Sequence, residues 1–222
     1  MCIIIYKPKG KLIPKEHLAQ SWIKNPHGGG FMYVRDGHIR IVKTVESFAL
    51  WYSMYEKIVP YNHNIVIHFR IGTSGKRNLE NCHPFSINNT LAFCHNGIMP
   101  FAVPEHSTIS DTVIFGRNVL QHLPSGFHKN TATLHLISAY LGTGKIVILD
   151  NKNNVVIINE DHGHWFKGSW YSNHSYEWRK IDVSPSFGMP LNSRDSGILP
   201  GLGEDEDEDE EDGKIGKSWY KR

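Results

Sequence analysis

The first residues whose types could do covalent chemistry stand at the start of the chain, in Met1-Cys2-Ile3-Ile4-Ile5-Tyr6. Cys is a small penultimate residue that permits removal of the initiator methionine. Cys2 would then carry a thiol and a free α-amino group on the same Cα. That amine, with a reference pKa of roughly 7.7–8.0, serves as a base near neutral pH. A thiol of pKa about 8.5 beside it is already partly thiolate, and the amine can assist its attack. The plain alternative is a small apolar residue at a strand start, and these six residues alone favour it. Three further polar clusters weigh on the choice: Arg70 and Thr73 in Arg70-Ile71-Gly72-Thr73-Ser74-Gly75, then His95-Asn96-Gly97, then Ser110-Asp111-Thr112. Taken singly, these read as a surface arginine, a turn and a helix cap. Their joint presence with Cys2 is what favours a site.

The elements that must position these clusters follow from periodicity and stop signals. Ile3-Ile4-Ile5 reads as a buried strand. A short helix is expected over 15–24. Gly28-Gly29-Gly30 feeds a strand at Phe31–Val34, with close backbone approach at its start and none of the spacing of a phosphate-binding loop. Asp36-Gly37 signals a hairpin into 39–43. Thr44 is read as the cap of a helix over 45–58, on which Phe48, Trp51, Tyr52 and Tyr55 share one apolar face. Two apolar strands, 64–69 and 91–94, end in the Arg70 and His95 clusters. Ser110 caps a helix over 111–123, and a further helix spans 131–141, closed by Gly142. Ile146–Leu149 and Val155–Ile158 form a hairpin, and His164–Phe166 with Trp170-Tyr171 read as edge strands. The class is therefore α+β.

Composition sets outer limits. The 222 residues include six Trp, nine Tyr and ten Phe, enough for a core in one large domain. No run of about eighteen apolar residues and no signal-type opening is present, so neither a membrane span nor a secreted precursor is expected. Three cysteines without CxxC spacing suit a reducing, cytoplasmic setting. Residues 204–212 are nine consecutive acids, and Lys214, Lys217, Lys221 and Arg222 follow. Setting these aside from the 22 acidic and 24 basic residues leaves 13 and 20 in 1–203, a net of +7. Nine adjacent like charges repel one another and bury nothing. The expected organisation is a domain over 1–180 followed by a linker and disordered acidic tail over 181–222.

With these pieces assembled, the chain resembles the class II glutamine amidotransferases, which are N-terminal nucleophile hydrolases. The resemblance rests on Met1-Cys2, His68-Phe69-Arg70-Ile71-Gly72-Thr73-Ser74-Gly75, Asn81-Cys82-His83-Pro84-Phe85, Phe93-Cys94-His95-Asn96-Gly97 and Ser110-Asp111-Thr112, over roughly residues 2–180. It implies a four-layer αββα sandwich of two mainly antiparallel sheets. It also implies that Cys2 attacks the side-chain amide of glutamine to give a γ-glutamyl thioester and ammonia, with its own α-amine as base. Asn96 and the Gly97 N–H would form the oxyanion hole. Arg70 and Thr73 would hold the substrate α-carboxylate, and Asp111 its α-ammonium. No cofactor is implied. Ile71 and Ser74 depart from residues many members carry, which bears on substrate closure rather than on the chemistry. Members use the ammonia in a fused or partnered synthetase domain, so a stand-alone glutaminase-type domain with its acceptor on another protein is expected. The location would be the cytoplasm, or the host cytoplasm if the chain is phage-encoded.

Other classes are weaker on the residues. Fourteen histidines invite a metal site at Cys82-His83, Cys94-His95 or His162-x-His164, but no paired short spacing supports zinc, and none is expected. Lys and Arg are scattered rather than clustered, against nucleic-acid binding. The remaining alternative is a non-catalytic interaction module that binds partners through the acidic tail.

Overall fold

β-branched runs become the central strands. β1 (Ile3–Lys7) and β4 (Ile65–Phe69) pair antiparallel, with Ile3 opposite Phe69 and Lys7 opposite Ile65. Around them the computed structural model, which describes residues 2–72, 75–100 and 107–178, builds the remaining elements of the unit Met1–Lys180. These are α1 (Lys15–Lys24), β2 (Gly29–Arg35), β3 (His38–Thr44), α2 (Phe48–Glu56), β5 (Phe85–Asn88), β6 (Leu91–Asn96) and α3 (Asp111–Asn118). α4 (Thr131–Leu141), β7 (Lys145–Asp150), β8 (Val155–Ile158), β9 (His164–Phe166) and β10 (Ser169–Tyr171) complete them. The strands form two antiparallel sheets, ordered β3-β2-β4-β1-β10-β9 and β5-β6-β7-β8. The fold is α+β. No helix among the described residues is long and apolar enough to cross a membrane. The acidic run at 204–212 lies outside the described residues.

Alternation along each strand divides the core into three clusters. Ile3 and Ile5 of β1 point with Phe31 and Phe69 to a cluster that includes Leu18 and Trp22 of α1 and Trp51 and Tyr55 of α2. Ile4, between them, points the other way. It joins Met32, Val66 and Trp170 of the first sheet to Ala92, Cys94, Val147 and Leu149 of the second. Phe93, Ile146 and Ile148 face the third cluster, with Phe115 of α3 and Ile137 and Leu141 of α4.

Local chemistry explains most boundaries. Asp36 and Gly37 both take positive φ, 53° and 71°, as a two-residue hairpin turn between right-twisted strands requires. Gly29 and Gly30 allow the approach that the glycine run implied: a Cβ on Gly29 would stand 2.7 Å from the Phe69 ring, and one on Gly30 would strike the His83 carbonyl. α2 starts later than the sequence suggested, because Ser47, accepting from the Leu50 N–H at 3.2 Å, is its cap, while Thr44 remains in β3. α3 stops at Asn118, short of 123, and a brief 3₁₀ turn at Leu120–His122 follows. β10 is not an edge strand. It lies between β1 and β9, which buries Trp170 fully between the sheets, its indole N–H donating to the Glu160 carbonyl at 3.1 Å.

Trp170 is thus the largest side chain shared by both sheets. Trp170→Ala should lower the unfolding free energy by about 3–5 kcal/mol, read from the urea midpoint at unchanged m-value. A loss below about 1 kcal/mol would mean that the inter-sheet cluster is not a rigid core.

Candidate active site

The register that sets Ile3 opposite Phe69 brings the next residues out, Cys2 and Arg70, opposite each other at the sheet end. The Cys2 thiol meets the Ile71 main chain, donating to its carbonyl at 3.3 Å and accepting from its N–H at 3.4 Å. Asn173 holds the Cys2 carbonyl from the other side, its Nδ2 donating at 2.6 Å. One residue earlier, the Ser172 N–H donates to the Ile4 carbonyl at 2.9 Å, and Ser172 Oγ accepts from the Ile4 N–H at 2.8 Å. Burial pushes the Cys2 thiol pKa up, opposed by the Ile71 hydrogen bond and then by the positive charge of Arg70.

Arg70 is only 4% exposed. Its N–H donates to the Gly28 carbonyl at 2.8 Å, and its carbonyl accepts from the His27 N–H at 2.9 Å, so the glycine loop continues the β2·β4 ladder. His27 Nδ1 accepts from the Gly72 N–H at 2.9 Å, which assigns its proton to Nε2. The Arg70 guanidinium lies over Gly72, where a Cβ would stand 2.7 Å from Nη1. Only glycine leaves the fork that place.

The Ser110-Asp111-Thr112 cluster does open α3. Ser110 Oγ accepts from the Val113 N–H at 3.4 Å, the ordinary cap. Asp111 Oδ1 accepts from the Thr112 N–H at 2.8 Å, and Oδ2 from the Met99 N–H at 3.0 Å. A carboxylate at a helix N-terminus is favoured there by the aligned peptide dipoles. Asn81 ties this start to the loop before β5. Its Oδ1 accepts from the Ser110 N–H at 2.7 Å, and its Nδ2 donates to the Thr108 carbonyl at 2.7 Å.

Asn96 is not in a turn after the strand but is the last residue of β6, and it is 3% exposed. Its Nδ2 donates to Ser172 Oγ at 2.7 Å. The second N–H of that amide makes no other hydrogen bond among the described residues. Gly97 leaves the strand at φ 155°, with Gly144 so close that a Cβ would stand 2.8 Å from its Cα.

Cys2, Arg70, Gly97 and Asp111 line one cavity, together with His83 and His95. Asn96 does not line it, and Thr73 lies outside the described residues. The cavity holds about 30 Å³, room for water and not for an amino acid. A larger cavity of about 420 Å³ lies at the opposite end of the β6·β7 ladder, against Leu91, His128 and Asp150, and none of the four residues reaches it.

Three histidines pack beneath the small cavity. His68 and His83 stack at 3.9 Å between centroids. His68 Nε2 must donate to the His95 carbonyl at 3.1 Å, and His83 Nδ1 must accept from the His95 N–H at 3.2 Å. His95 Nδ1 pairs with Thr112 Oγ1 at 3.0 Å, and its Nε2 is buried without a partner. Burial lowers all three: His68 to about 3, His95 to about 4 despite the opposing charge of Asp111, and His83 well below its usual value. They are neutral where Arg70 is charged. Sequence reasoning read His95 as part of a turn; it lies in β6, and with His83 it lines the cavity.

Sequence reasoning did not single out Ser172, Asn173 or His27, and it held Asn81 only as part of the Asn81-Cys82-His83-Pro84-Phe85 stretch.

No protein-family model and no curated protein sequence matches this chain. Among solved structures, it is similar to a glutamine aminotransferase class-II domain protein from Silicibacter pomeroyi. The two are 13% identical, with 77% of this chain and 87% of that chain covered at a TM-score of 0.40. It is also similar to the glutamine phosphoribosylpyrophosphate amidotransferase of B. subtilis complexed with ADP and GMP. There the identity is 12%, with 77% of this chain and 41% of that chain covered at a TM-score of 0.41.

Neutral buried histidines have a thermodynamic consequence. Their folded pKa values lie below the unfolded value of about 6.5, so the unfolded chain binds more protons below that pH. Their contribution is intact above pH about 6.5 and is lost as pH falls toward the folded values, by roughly 1.4 kcal/mol per pH unit for each histidine. The urea midpoint should therefore fall between pH 7 and 5, before carboxylates begin to titrate, and His68→Gln should flatten that slope. A wild-type midpoint independent of pH over this range would contradict neutral burial.

Proposed function

We propose that this chain is a class II glutamine amidotransferase domain of the N-terminal nucleophile type. It would hydrolyse the side-chain amide of glutamine and release ammonia for an acceptor on a partner enzyme, in the cytoplasm and without a cofactor. The reading includes a four-layer αββα sandwich, supported by the three apolar clusters: helices on one sheet, sheet on sheet, and helices on the second sheet. The single observation that carries the function is that Cys2, Arg70, Gly97 and Asp111, far apart in sequence, line one cavity.

The mechanism follows from what each group offers. After loss of Met1, the Cys2 α-amine takes the thiol proton as Sγ bonds to the amide carbon. The burial that raises the thiol pKa makes that base necessary. The carbonyl oxygen becomes an oxyanion that the Gly97 N–H and the remaining Asn96 N–H would hold; one such donor is worth roughly 3–4 kcal/mol of transition-state stabilisation. The C–N bond breaks as the ammonium returns its proton to the leaving nitrogen, which departs as ammonia. Water then cleaves the thioester to glutamate. Arg70 suits the substrate α-carboxylate because its planar fork donates two parallel hydrogen bonds, and Asp111 suits the α-ammonium. Thr73 would add its hydroxyl to the carboxylate grip. Glutamine is larger than a 30 Å³ cavity, so it would extend beyond these walls when bound. The alternative reading is a non-catalytic interaction module that binds partners through the acidic tail.

Purified protein should have lost Met1 by intact mass, and 6-diazo-5-oxonorleucine should label Cys2 and neither Cys82 nor Cys94. Ammonia release from glutamine should vanish in Cys2→Ala. It should fall roughly 10²–10³-fold in kcat in Asn96→Ala. Retained methionine, or no ammonia and no labelling, would remove the amidotransferase reading in favour of the interaction module. Arg70→Lys keeps the charge and loses the fork, so it should weaken glutamine use by about tenfold or more in kcat/KM. An unchanged kcat/KM would take the carboxylate role away from Arg70.

A further inference from the structure

Beyond the cavity, polar groups also converge where β9 meets the turn that leaves β10. His164, His174 and Glu177 can each bring a ligand atom within 4.8 Å of the other two, the one such group of three or more His, Cys, Asp or Glu among the described residues. The two imidazoles stack face to face, 4.1 Å between centroids and 9° from parallel. His174 Nδ1 and Glu177 Oε1 are 2.9 Å apart, and both side chains are well exposed, at 66% and 50%. His164 is half-buried, and its Nε2 is held by the Tyr176 hydroxyl at 3.0 Å. Tyr176 is itself buried, stacked on Tyr171 at 4.0 Å.

We propose that His164, His174 and Glu177 form a site for a divalent first-row transition cation, zinc being the natural probe. Two imidazoles and one carboxylate, with the remaining positions open to water, are a donor set that such cations accept and that magnesium and calcium do not prefer. One ligand is anchored: the Tyr176 hydroxyl fixes the His164 ring through one nitrogen, as outer partners of metal-binding imidazoles do, and leaves the other for the cation. The other two stand on an exposed turn and have room to close the gap to bonding distance. The existing His174–Glu177 contact would be exchanged for bonds to the cation. His162, which the sequence spacing offered as a companion of His164, does not belong to the group.

The placement gives the cation a second effect. The turn it would close begins with Ser172 and Asn173, which hold Ile4, Asn96 and the Cys2 carbonyl. A cation bridging β9 to His174 and Glu177 would tie that turn at both ends. The site does not depend on the glutamine reading, since its ligands lie outside the Cys2 cavity.

The test uses the full chain, stripped with chelator and titrated with zinc by calorimetry in excess magnesium, which occupies the 204–212 carboxylates. One zinc per chain is expected, with affinity reduced at least about tenfold in His174→Ala and in Glu177→Ala and unchanged in Cys2→Ala. Cobalt(II) in place of zinc should give visible d–d bands without thiolate charge transfer. Zinc should raise the melting temperature of the wild type and not of His174→Ala, whose exposed position leaves the fold intact by circular dichroism. Absence of binding in excess magnesium, undiminished binding in both turn variants, or loss of binding in Cys2→Ala would each overturn the proposal.

Discussion

Everything at the small cavity depends on the alignment of β1 with β4. Side chains alternate across a strand, so a slip of one residue would turn Cys2 away from Arg70 and exchange the faces of the isoleucines. Hydrophobicity alone does not prevent that slip, because Ile3, Ile4 and Ile5 are identical and both faces of β1 are buried. Polar contacts at the two ends of the strand fix it instead. Ser172 takes both the N–H and the carbonyl of Ile4, and Asn173 takes the carbonyl of Cys2. At the other end Lys7, 1% exposed, donates its ammonium to the His63 carbonyl at 3.0 Å. A buried ammonium that found no carbonyl would cost several kcal/mol, which penalises any other register. Three similar residues supply the core, and their polar neighbours supply its alignment.

Asn96 extends the same logic to the second sheet. Its amide and the Ile4 N–H both point at one hydroxyl, Ser172 Oγ. That hydroxyl therefore links the last residue of β6 to the strand that carries Cys2, across the inter-sheet core. His68 adds a parallel link from β4, by donating to the His95 carbonyl on β6. Where the two sheets face each other their contact is apolar, and at the cavity end it is hydrogen-bonded. Directional bonds set the spacing between sheets there more sharply than side-chain packing could.

What was legible in the sequence follows from how local the physics is. The Asp36-Gly37 turn, the Trp51–Tyr55 face, the Ser110 and Gly142 boundaries and the isoleucine strand are set within a few residues, and they read correctly. Thr44 against Ser47 as a cap is a choice between two good cappers, decided by how far β3 can pair with Gly29. β10 read as an edge because three residues carry no periodicity, and its central place depends on pairing with a strand more than 160 residues away. The same distance hid Ser172 and Asn173. For the site, the motif residues Cys2, Arg70, Gly97 and Asp111 were visible as types, and three glycines or caps beside them as local geometry. The stacked His68–His83 pair was not, because whether a histidine is neutral is set by burial that only tertiary packing creates.

That neutrality bears on the charge at the cavity. Arg70 is buried, His83 and His95 line the same cavity, and His68 stacks on His83. Were any of these histidines protonated, two cations would share a space of low dielectric, where repulsion at a few ångströms is far stronger than in water. Burial resolves the conflict by holding all three in the neutral form, and Arg70 itself contributes to lowering His68 and His83. The result is one cation facing one thiol, with the Asp111 carboxylate on the same wall. Arg70 pulls the Cys2 pKa down, burial pushes it up, and burial wins. A thiol left protonated by that balance is inert until a base comes within reach or until its surroundings open to solvent.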